Sequence, residues 1–110
     1  MPHAELKYSN DITLDAARLL ADIEATILQH DAGSGACKGR AYPAEAWNHS
    51  HVMLDLAMLA KPHRDKAFSD GLIAALETEI KRHLSQKCYV SIALRFMDGN
   101  YFTGSFDPAA

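Results

Sequence analysis

The sequence predicts an α+β fold of the two-layer sandwich type, with its elements in the order β-α-β-β-α-β. Two segments, residues 12–30 and 63–84, repeat apolar side chains at helical spacing. Each segment lies between two short stretches that read as strands. One helix after each of two strands gives two β-α-β halves, whose crossovers place both helices on one face of a four-stranded sheet. The 110 residues are expected to form a single domain, residues 1–110.

Each element has its own local signals. The first strand ends at Ser9-Asn10-Asp11, which also offers caps for the first helix. That helix stops at the glycine-rich segment 31–35. The dipeptide Asp98-Gly99 is a hairpin signal, so the sheet is predicted to carry a C-terminal hairpin. The predicted strands cover residues 2–8, 37–42, 51–60 and 88–97, and the return strand of the hairpin covers residues 100–106.

The strand predicted at residues 51–60 is apolar on both faces. Val52, Leu54 and Leu56 alternate with Met53, Ala57 and Leu59. A strand with two apolar faces has to be covered on both of them. Helices cover one face, and a chain this short has no third layer, so we expect other copies of the chain to cover the second. The hairpin at Asp98-Gly99 is a candidate for pairing with a neighbour's sheet edge.

Composition excludes several classes of partner. The net charge is −3, the pI is near 6.0 and no run of Lys and Arg occurs, which argues against a nucleic-acid surface. No apolar stretch has transmembrane length, and the N-terminus lacks the pattern of a signal peptide, so no membrane partner is expected. Cys37 and Cys88 lack metal-ligand spacing and are typical of small buried side chains in a reducing compartment. These features predict a cytoplasmic protein.

Proline at position 2 is the feature with the clearest chemical meaning. Removal of Met1 makes the Pro2 nitrogen a secondary amine, the one backbone nitrogen of a chain that is basic. An unperturbed α-amino group has a pKa of roughly 7.7–8.0. Modest burial or a neighbouring cation would make it a general base near neutral pH. Many chains carry proline at this position without such chemistry, so the rest of the pattern has to support it.

Other polar and aromatic residues point less clearly to chemistry. His49, His51, Asp55 and His63 resemble metal ligands in type, but no Cys or Glu completes a ligand spacing, so no metal site is predicted. Asp55 lies within an apolar strand and is expected to pair with a cation or a backbone donor at an interface. The remaining aromatic side chains either line a pocket for a planar substrate or pack in the core and interfaces; they are Trp47, Tyr89, Phe96, Tyr101, Phe102 and Phe106.

Several stretches together resemble the tautomerase superfamily, and within it the 5-carboxymethyl-2-hydroxymuconate isomerase family. The residues that carry the resemblance are Pro2-His3 with Ser9-Asn10-Asp11, the stretch Lys38-Gly39-Arg40-Ala41-Tyr42, the apolar strand 51–60 and the final strand 90–96. The resemblance implies a homotrimer whose pocket has the N-terminal proline at its floor and an adjacent subunit in one wall. It implies no metal and no cofactor.

The resemblance also assigns roles on this chain. Pro2 would be the acid and base that moves a proton between the enol oxygen and a distant carbon of a dienol acid. Arg40 would hold the carboxylates of the substrate, with Lys38 as helper or alternative. Both cations lie two residues apart on one strand and therefore point to the same face. Beside Pro2, they would lower the pKa of its amine and bind a carboxylate or enolate.

Three functions remain open on the sequence. The first is a cofactor-independent isomerase of a small unsaturated 2-hydroxy di- or tricarboxylic acid, such as 5-carboxymethyl-2-hydroxymuconate, in aromatic catabolism. The second keeps the proline base but acts as a keto–enol tautomerase on an aryl keto acid such as phenylpyruvate. The third is a non-catalytic trimeric module that binds another anion. Family members often carry arginine where Lys38 stands, which leaves the substrate open.

Overall fold

The structure, a computed structural model that describes residues 1–109, confirms the predicted order of elements. Each half contributes one helix and two strands to one mixed sheet. The elements are β1 (His3–Ser9), α1 (Ala16–His30), β2 (Lys38–Ala44), β3 (His51–Leu59), α2 (Lys66–Arg82) and β4 (Tyr89–Met97). The sheet order is β2-β1-β3-β4. β1 is parallel to β2 and antiparallel to β3, and β3 is parallel to β4.

Both helices begin later than the apolar periodicity predicts. The Asp15 side chain caps α1 by accepting a hydrogen bond from the Arg18 amide at 3.1 Å, and Asp65 caps α2 in the same way at the Phe68 amide, at 2.9 Å. Ile12 is buried although it precedes the helix, which explains why it extends the helical pattern. Neither helix within residues 1–109 is long and apolar enough to cross a bilayer.

One face of the sheet packs against the two helices and forms the core. Alternate residues of β1 and β3 point to this face and are fully buried, as are the inward side chains of both helices. β2 approaches α1 so closely that a Cβ on Gly39 would lie 3.0 Å from Leu20 Cδ2. The buried core side chains are Ala4, Leu6, Ile12, Leu19, Ile23, Ile27, Val52, Leu54, Leu56, Met58, Leu72, Leu76 and Ile80.

The opposite face of the sheet has no helix over it within residues 1–109. Met53 and Leu59 lie on this face and are only partly buried. Asp55 also lies there, opposite Glu5 of β1 and Ala93 of β4. No cation of residues 1–109 is within ion-pair distance of Asp55, so the partner that the sequence predicts for it does not come from its own chain. We call this surface the open face.

The return strand predicted at residues 100–106 is not formed among the described residues. The turn itself is present, and the Asn100 amide donates to Asp98 Oδ1 at 2.8 Å. Beyond it the chain runs back toward the start of β1, where the Tyr101 hydroxyl lies 2.8 Å from His3 Nε2. Gly104 interrupts the segment and lowers its strand propensity. Hydrogen bonds from Tyr101 therefore replace the ladder that the hairpin signal predicts.

Candidate functional site

Pro2 lies at the end of the sheet where β1 and β2 begin and β3 ends. The Pro2 side chain is fully buried, and its carbonyl accepts a hydrogen bond from the Lys38 amide at 2.9 Å. β1 has β2 on one side and β3 on the other, which places Pro2 at the start of an inner strand. The register places the Lys38-Gly39-Arg40 stretch beside β1, which meets the condition under which the cations would lie near Pro2.

Met1 lies over Pro2 and fills the space in front of its nitrogen. Its side chain is 42% exposed, and the Lys38 ammonium donates to its sulfur. A Cβ on Gly35 would lie 3.4 Å from Met1 Cγ, and the Thr103 hydroxyl lies 3.9 Å from the sulfur. While Met1 is attached, the Pro2 nitrogen is an amide and cannot accept a proton. Lys38, Gly35 and Thr103 therefore border the space that Met1 occupies.

Cations surround this end of the sheet. Burial is the main cause that lowers the pKa of the Met1 amine, followed by the charges of Lys38, Arg64 and Lys61. The amine of Met1 and the nitrogen of Pro2 are one residue apart, so the same positive field acts on both. Such a field disfavours the protonated form of an amine. It also attracts a carboxylate or an enolate.

Lys38 and Arg40 share the open face but not the same position relative to Pro2. Lys38 is opposite His3, whereas Arg40 is opposite Glu5, one pleat further from the N-terminus. Arg40 Nε lies 3.3 Å from Glu5 Oε1, and the Tyr42 hydroxyl donates to the same oxygen at 3.4 Å. Lys38 is therefore the cation next to Pro2, and Arg40 is held by a carboxylate of its own chain.

Arg64 is a buried cation at this end that sequence reasoning missed. Its Nε and Nη2 donate to Asp31 Oδ2 at 2.9 and 2.8 Å, and its Nη1 donates to the Leu59 carbonyl at 2.8 Å. His63 Nε2 lies 2.8 Å from the same Asp31 oxygen. The hydrogen bond from His63 and the contact with Arg64 lower the pKa of Asp31 to about 2, although burial opposes them. The cluster ties residues 60–65 to the end of α1, beside Met1.

Tyr101 and His3 form the second pair that the sequence did not single out. Their rings meet edge to face, with centroids 5.8 Å apart, and the Tyr101 hydroxyl also donates to the Met1 carbonyl at 3.4 Å. Burial lowers the pKa of His3, and the charges of Arg40 and Lys38 lower it further. In the sequence Tyr101 is one of several aromatic residues near the C-terminus, and no local pattern shows that residue 101 returns to residue 3.

A cleft at the other end of the sheet does not belong to this site. It has a volume of about 220 Å³ and is lined by His49, Ser50, Lys87, Cys88 and Tyr89, where β3 and β4 begin. β3 is nine residues long, so roughly 30 Å separates that cleft from Pro2 at about 3.3 Å per residue. Within one chain, a group in the cleft is too far from Pro2 to take part in chemistry there.

The histidines considered as metal ligands in the sequence are not brought together. His63 contacts Asp31, whereas His51 Nδ1 lies 2.7 Å from the His49 carbonyl at the other end of β3. Within residues 1–109, three potential ligands do meet between the helices, namely Asp22, Glu79 and His83. His83 Nε2 lies 2.8 Å from Asp22 Oδ2 and 3.9 Å from Glu79 Oε1, so these side chains pair with one another across the α1–α2 contact.

Comparison with solved structures identifies the fold. No protein-family model and no curated protein sequence matches the chain. A 5-carboxymethyl-2-hydroxymuconate isomerase from Deinococcus radiodurans is similar with a TM-score of 0.71 and 19% identity, over 94% of this chain and 90% of that one. A macrophage migration inhibitory factor-like protein from Entamoeba histolytica is similar with a TM-score of 0.71 and 14% identity, over 94% of this chain and 95% of that one. A fused 4-OT in a symmetric trimer has a TM-score of 0.69 and 11% identity, over 94% of this chain and 93% of that one.

These similarities confirm, at the level of fold, the resemblance that the sequence carries. The two β-α-β halves, the four-stranded mixed sheet and the helices on one face make up the tautomerase fold. Identities below 20% show the fold alone. What the chain does has to be argued from its own residues.

Proposed function

We propose that this chain is a cofactor-independent tautomerase that uses the amine of Pro2 as both acid and base. One observation carries the proposal: Pro2 is buried at the start of an inner strand, and Met1, which is bonded to its nitrogen, lies within the field of the cations Lys38, Arg64 and Lys61. The proposed substrate is a small unsaturated 2-hydroxy di- or tricarboxylic acid, of the kind that an isomerase of 5-carboxymethyl-2-hydroxymuconate acts on. The two free cysteines support a reducing, cytoplasmic setting.

The reaction needs no group beyond Pro2 to move the proton. The neutral amine accepts the proton of the enol O–H, and the electron pair of that bond forms the new carbonyl as the double bonds shift. The resulting ammonium returns the same proton to a distant carbon of the conjugated system. The products are the keto acid and the neutral amine, so protons and electrons balance within the substrate and Pro2. A base with a pKa near the working pH serves both steps best.

Lys38 is the cation best placed to assist this transfer. Its ammonium already contacts Met1 and is opposite His3 in the register. Its charge lowers the pKa of the amine beside it and stabilises a substrate carboxylate or the developing enolate. Arg40 would hold the second carboxylate of a diacid in a two-pronged contact. To do so it has to exchange its contact with Glu5 for the substrate.

The proposed enzyme is a homotrimer whose pocket is completed by a neighbouring copy. Two observations support this assembly: the open face carries partly exposed Met53 and Leu59, and Asp55 on that face has no cationic partner within residues 1–109. The similar 4-OT structure is a symmetric trimer.

The experiment that tests the function compares a free and a blocked Pro2 nitrogen. The native protein is first weighed intact to establish that Met1 is absent, and ketonisation of 2-hydroxymuconate is then followed by ultraviolet absorbance. The blocked variant carries one glycine inserted between Met1 and Pro2, which makes the Pro2 nitrogen an amide. We expect at least a ~100-fold loss of kcat/KM, the usual contribution of a positioned acid or base. Pro2→Ala keeps a primary amine and should lose less.

The same assay tests the roles of Lys38 and Arg40 separately. Lys38→Ala should raise KM by about 10- to 100-fold, as expected for the loss of one charge-assisted contact. It should also shift the rising limb of the pH profile to higher pH, because the amine loses a cation that lowers its pKa. Arg40→Ala should raise KM for diacids but not for monoacids. Lys87→Ala, at the far end of the sheet, serves as the control and should change neither KM.

Two results would contradict the proposal. Full activity of the glycine-inserted variant would remove Pro2 from the mechanism. A native protein that retains Met1 and is inactive on 2-hydroxymuconate and on phenylpyruvate would instead favour the non-catalytic binding module, since the amide of Pro2 has no basic nitrogen.

A further inference from the structure

The contacts of Met1 mark where a substrate atom would sit. The carbonyl carbon of Met1 is bonded to the Pro2 nitrogen, and its oxygen therefore lies about 2.2 Å from that nitrogen. After removal of Met1, this space is the one in which a reacting oxygen meets the Pro2 amine. A group that hydrogen-bonds to the Met1 carbonyl is thus aimed at the position of the substrate oxygen.

Tyr101 is such a group. Its hydroxyl donates to the Met1 carbonyl oxygen at 3.4 Å. A phenol has one hydrogen, so when that hydrogen is donated to the Met1 carbonyl, the 2.8 Å contact with His3 is donated by the Nε2–H tautomer of the imidazole. The result is a chain of donors from His3 through Tyr101 to the space in front of Pro2. Each bond in such a chain polarises the next and strengthens the final donor.

The surroundings of His3 favour the neutral form of its ring, which is the form needed in this chain of donors. It is half-buried at the start of β1, and the charges of Arg40 and Lys38 oppose a proton on its ring, whereas Glu5 favours one. A neutral imidazole with its hydrogen on Nε2 donates to Tyr101 without adding a further positive charge beside the Pro2 amine. The edge-to-face contact of the two rings restrains the orientation of the Tyr101 ring.

We propose that Tyr101 is a catalytic residue of the Pro2 reaction, with its hydroxyl donating a hydrogen bond to the enol oxygen of the substrate, and that His3 is its positioning residue. This inference rests on the proposed function. When Pro2 takes the enol proton, the oxygen gains negative charge, and Tyr101 stabilises that charge while keeping its own proton. Once the proton reaches carbon, the same hydroxyl donates to the ketone oxygen.

The assignment also limits the substrate class. Lys38 and Tyr101 approach Met1 at different atoms, the sulfur and the carbonyl oxygen. An acid with an oxygen on the carbon next to its carboxylate can engage both at once. A 2-hydroxy-dienoic or 2-oxo acid meets that requirement, and an unsaturated acid without the 2-oxygen leaves Tyr101 without an acceptor. Discrimination between these acids should therefore depend on the hydroxyl of Tyr101.

The test uses Tyr101→Phe and His3→Leu in the protein freed of Met1. Loss of one positioned donor reduces kcat by about 10²–10³, and we expect about 10- to 100-fold here because Lys38 lies beside the same space. KM should change by less than about 3-fold, because the hydrogen bond strengthens mainly in the transition state. His3→Gln keeps an N–H donor at this position and should restore most of the activity that His3→Leu loses.

Two controls separate this role from a structural one. Tyr89→Phe removes the hydroxyl of a tyrosine that is 69% exposed at the far end of the sheet, and it should leave kcat unchanged. The double variant Tyr101→Phe/His3→Leu should be no slower than Tyr101→Phe, since His3 acts only through Tyr101. Thermal unfolding of each variant checks that the fold is retained.

The possible outcomes distinguish this inference from the function on which it rests. An active native protein whose kcat is unchanged within about 2-fold by Tyr101→Phe would overturn the role of Tyr101 and leave Pro2 in place. If Tyr101→Phe fails to fold, His3→Leu and His3→Gln are compared instead. Equal kcat values of these two variants would overturn the proposed chain of donors. A native protein without a free Pro2 amine or activity would overturn both.

Discussion

Replacing Asp31 with asparagine should destabilise the fold in a way that depends on pH. The Asp31 carboxylate accepts hydrogen bonds from His63 and Arg64, and the side chain of Arg64 is only 3% exposed. These contacts lower the pKa of Asp31 from 3.8 to about 2. Asparagine has a similar shape but cannot carry the charge that stabilises the buried guanidinium. The variant therefore isolates the electrostatic part of the cluster.

The magnitude follows from the shift in pKa. Because each unit corresponds to about 1.4 kcal/mol, the ionised carboxylate contributes about 2–3 kcal/mol to the free energy of unfolding at pH 7. The folded pKa is lowered, so this contribution is complete at pH values well above the unfolded value of 3.8. It is lost as the pH falls through the folded value of about 2. At pH 3 the same relation leaves about 1 kcal/mol.

Urea unfolding of both proteins between pH 7 and pH 3 measures the difference directly. Asp70→Asn is the matched control, because Asp70 forms an exposed i,i+4 pair with Lys66, a type of contact that contributes about 0.3–0.5 kcal/mol. A loss below about 0.5 kcal/mol for Asp31→Asn at pH 7 would refute the reasoning, and so would a loss that is the same at pH 7 and pH 3. Either result would mean that the ion pair offsets its own desolvation.

Two further predictions concern the thiols and the open face. Burial and the carboxylate of Glu24 raise the pKa of Cys37 to about 11. In a Cys88→Ser variant, iodoacetamide at pH 8 should therefore modify Cys37 about 100-fold more slowly than a thiol of ordinary pKa. If mass spectrometry gives equal rates, the Cys37 thiol is not shielded. Light scattering should give a mass of three chains, each of 12.1 kDa, for the native protein. Met53→Asp on the open face should reduce this mass to that of a single chain. A monomeric native protein would exclude the trimer.

The order of elements could be predicted from the sequence because it depends on local periodicity and turn residues. Errors arose where a local pattern continued beyond its element. Ile12 fits the helical repeat but is buried ahead of the Asp15 cap, so α1 begins at Ala16 rather than at residue 12. Asp98-Gly99 does form a turn, but the hydrogen bond of Tyr101 to the N-terminal end decides where the chain goes next.

The candidate site was predictable only where a motif carries chemistry by itself. Pro2 has a chemical meaning at position 2 in any fold, whereas the choice between Lys38 and Arg40 depends on the register of β1 against β2. Asp31 and Arg64 are 33 residues apart, and Tyr101 is 98 residues from His3. Contacts between residues so far apart depend on how the chain crosses from one strand to the next, and no periodic pattern in the sequence indicates them.

The inner position of β1 has a consequence for how the protein matures. Pro2 is fully buried only when β1 lies between β2 and β3, and β3 ends at Leu59. A ribosome that adds 5–20 residues per second takes about 3 to 12 s to reach that point, and the exit tunnel adds to the delay. During this interval the first residues are extended and open to an aminopeptidase. An aminopeptidase that removes Met1 would therefore act most easily on the nascent chain, before β2 and β3 enclose β1.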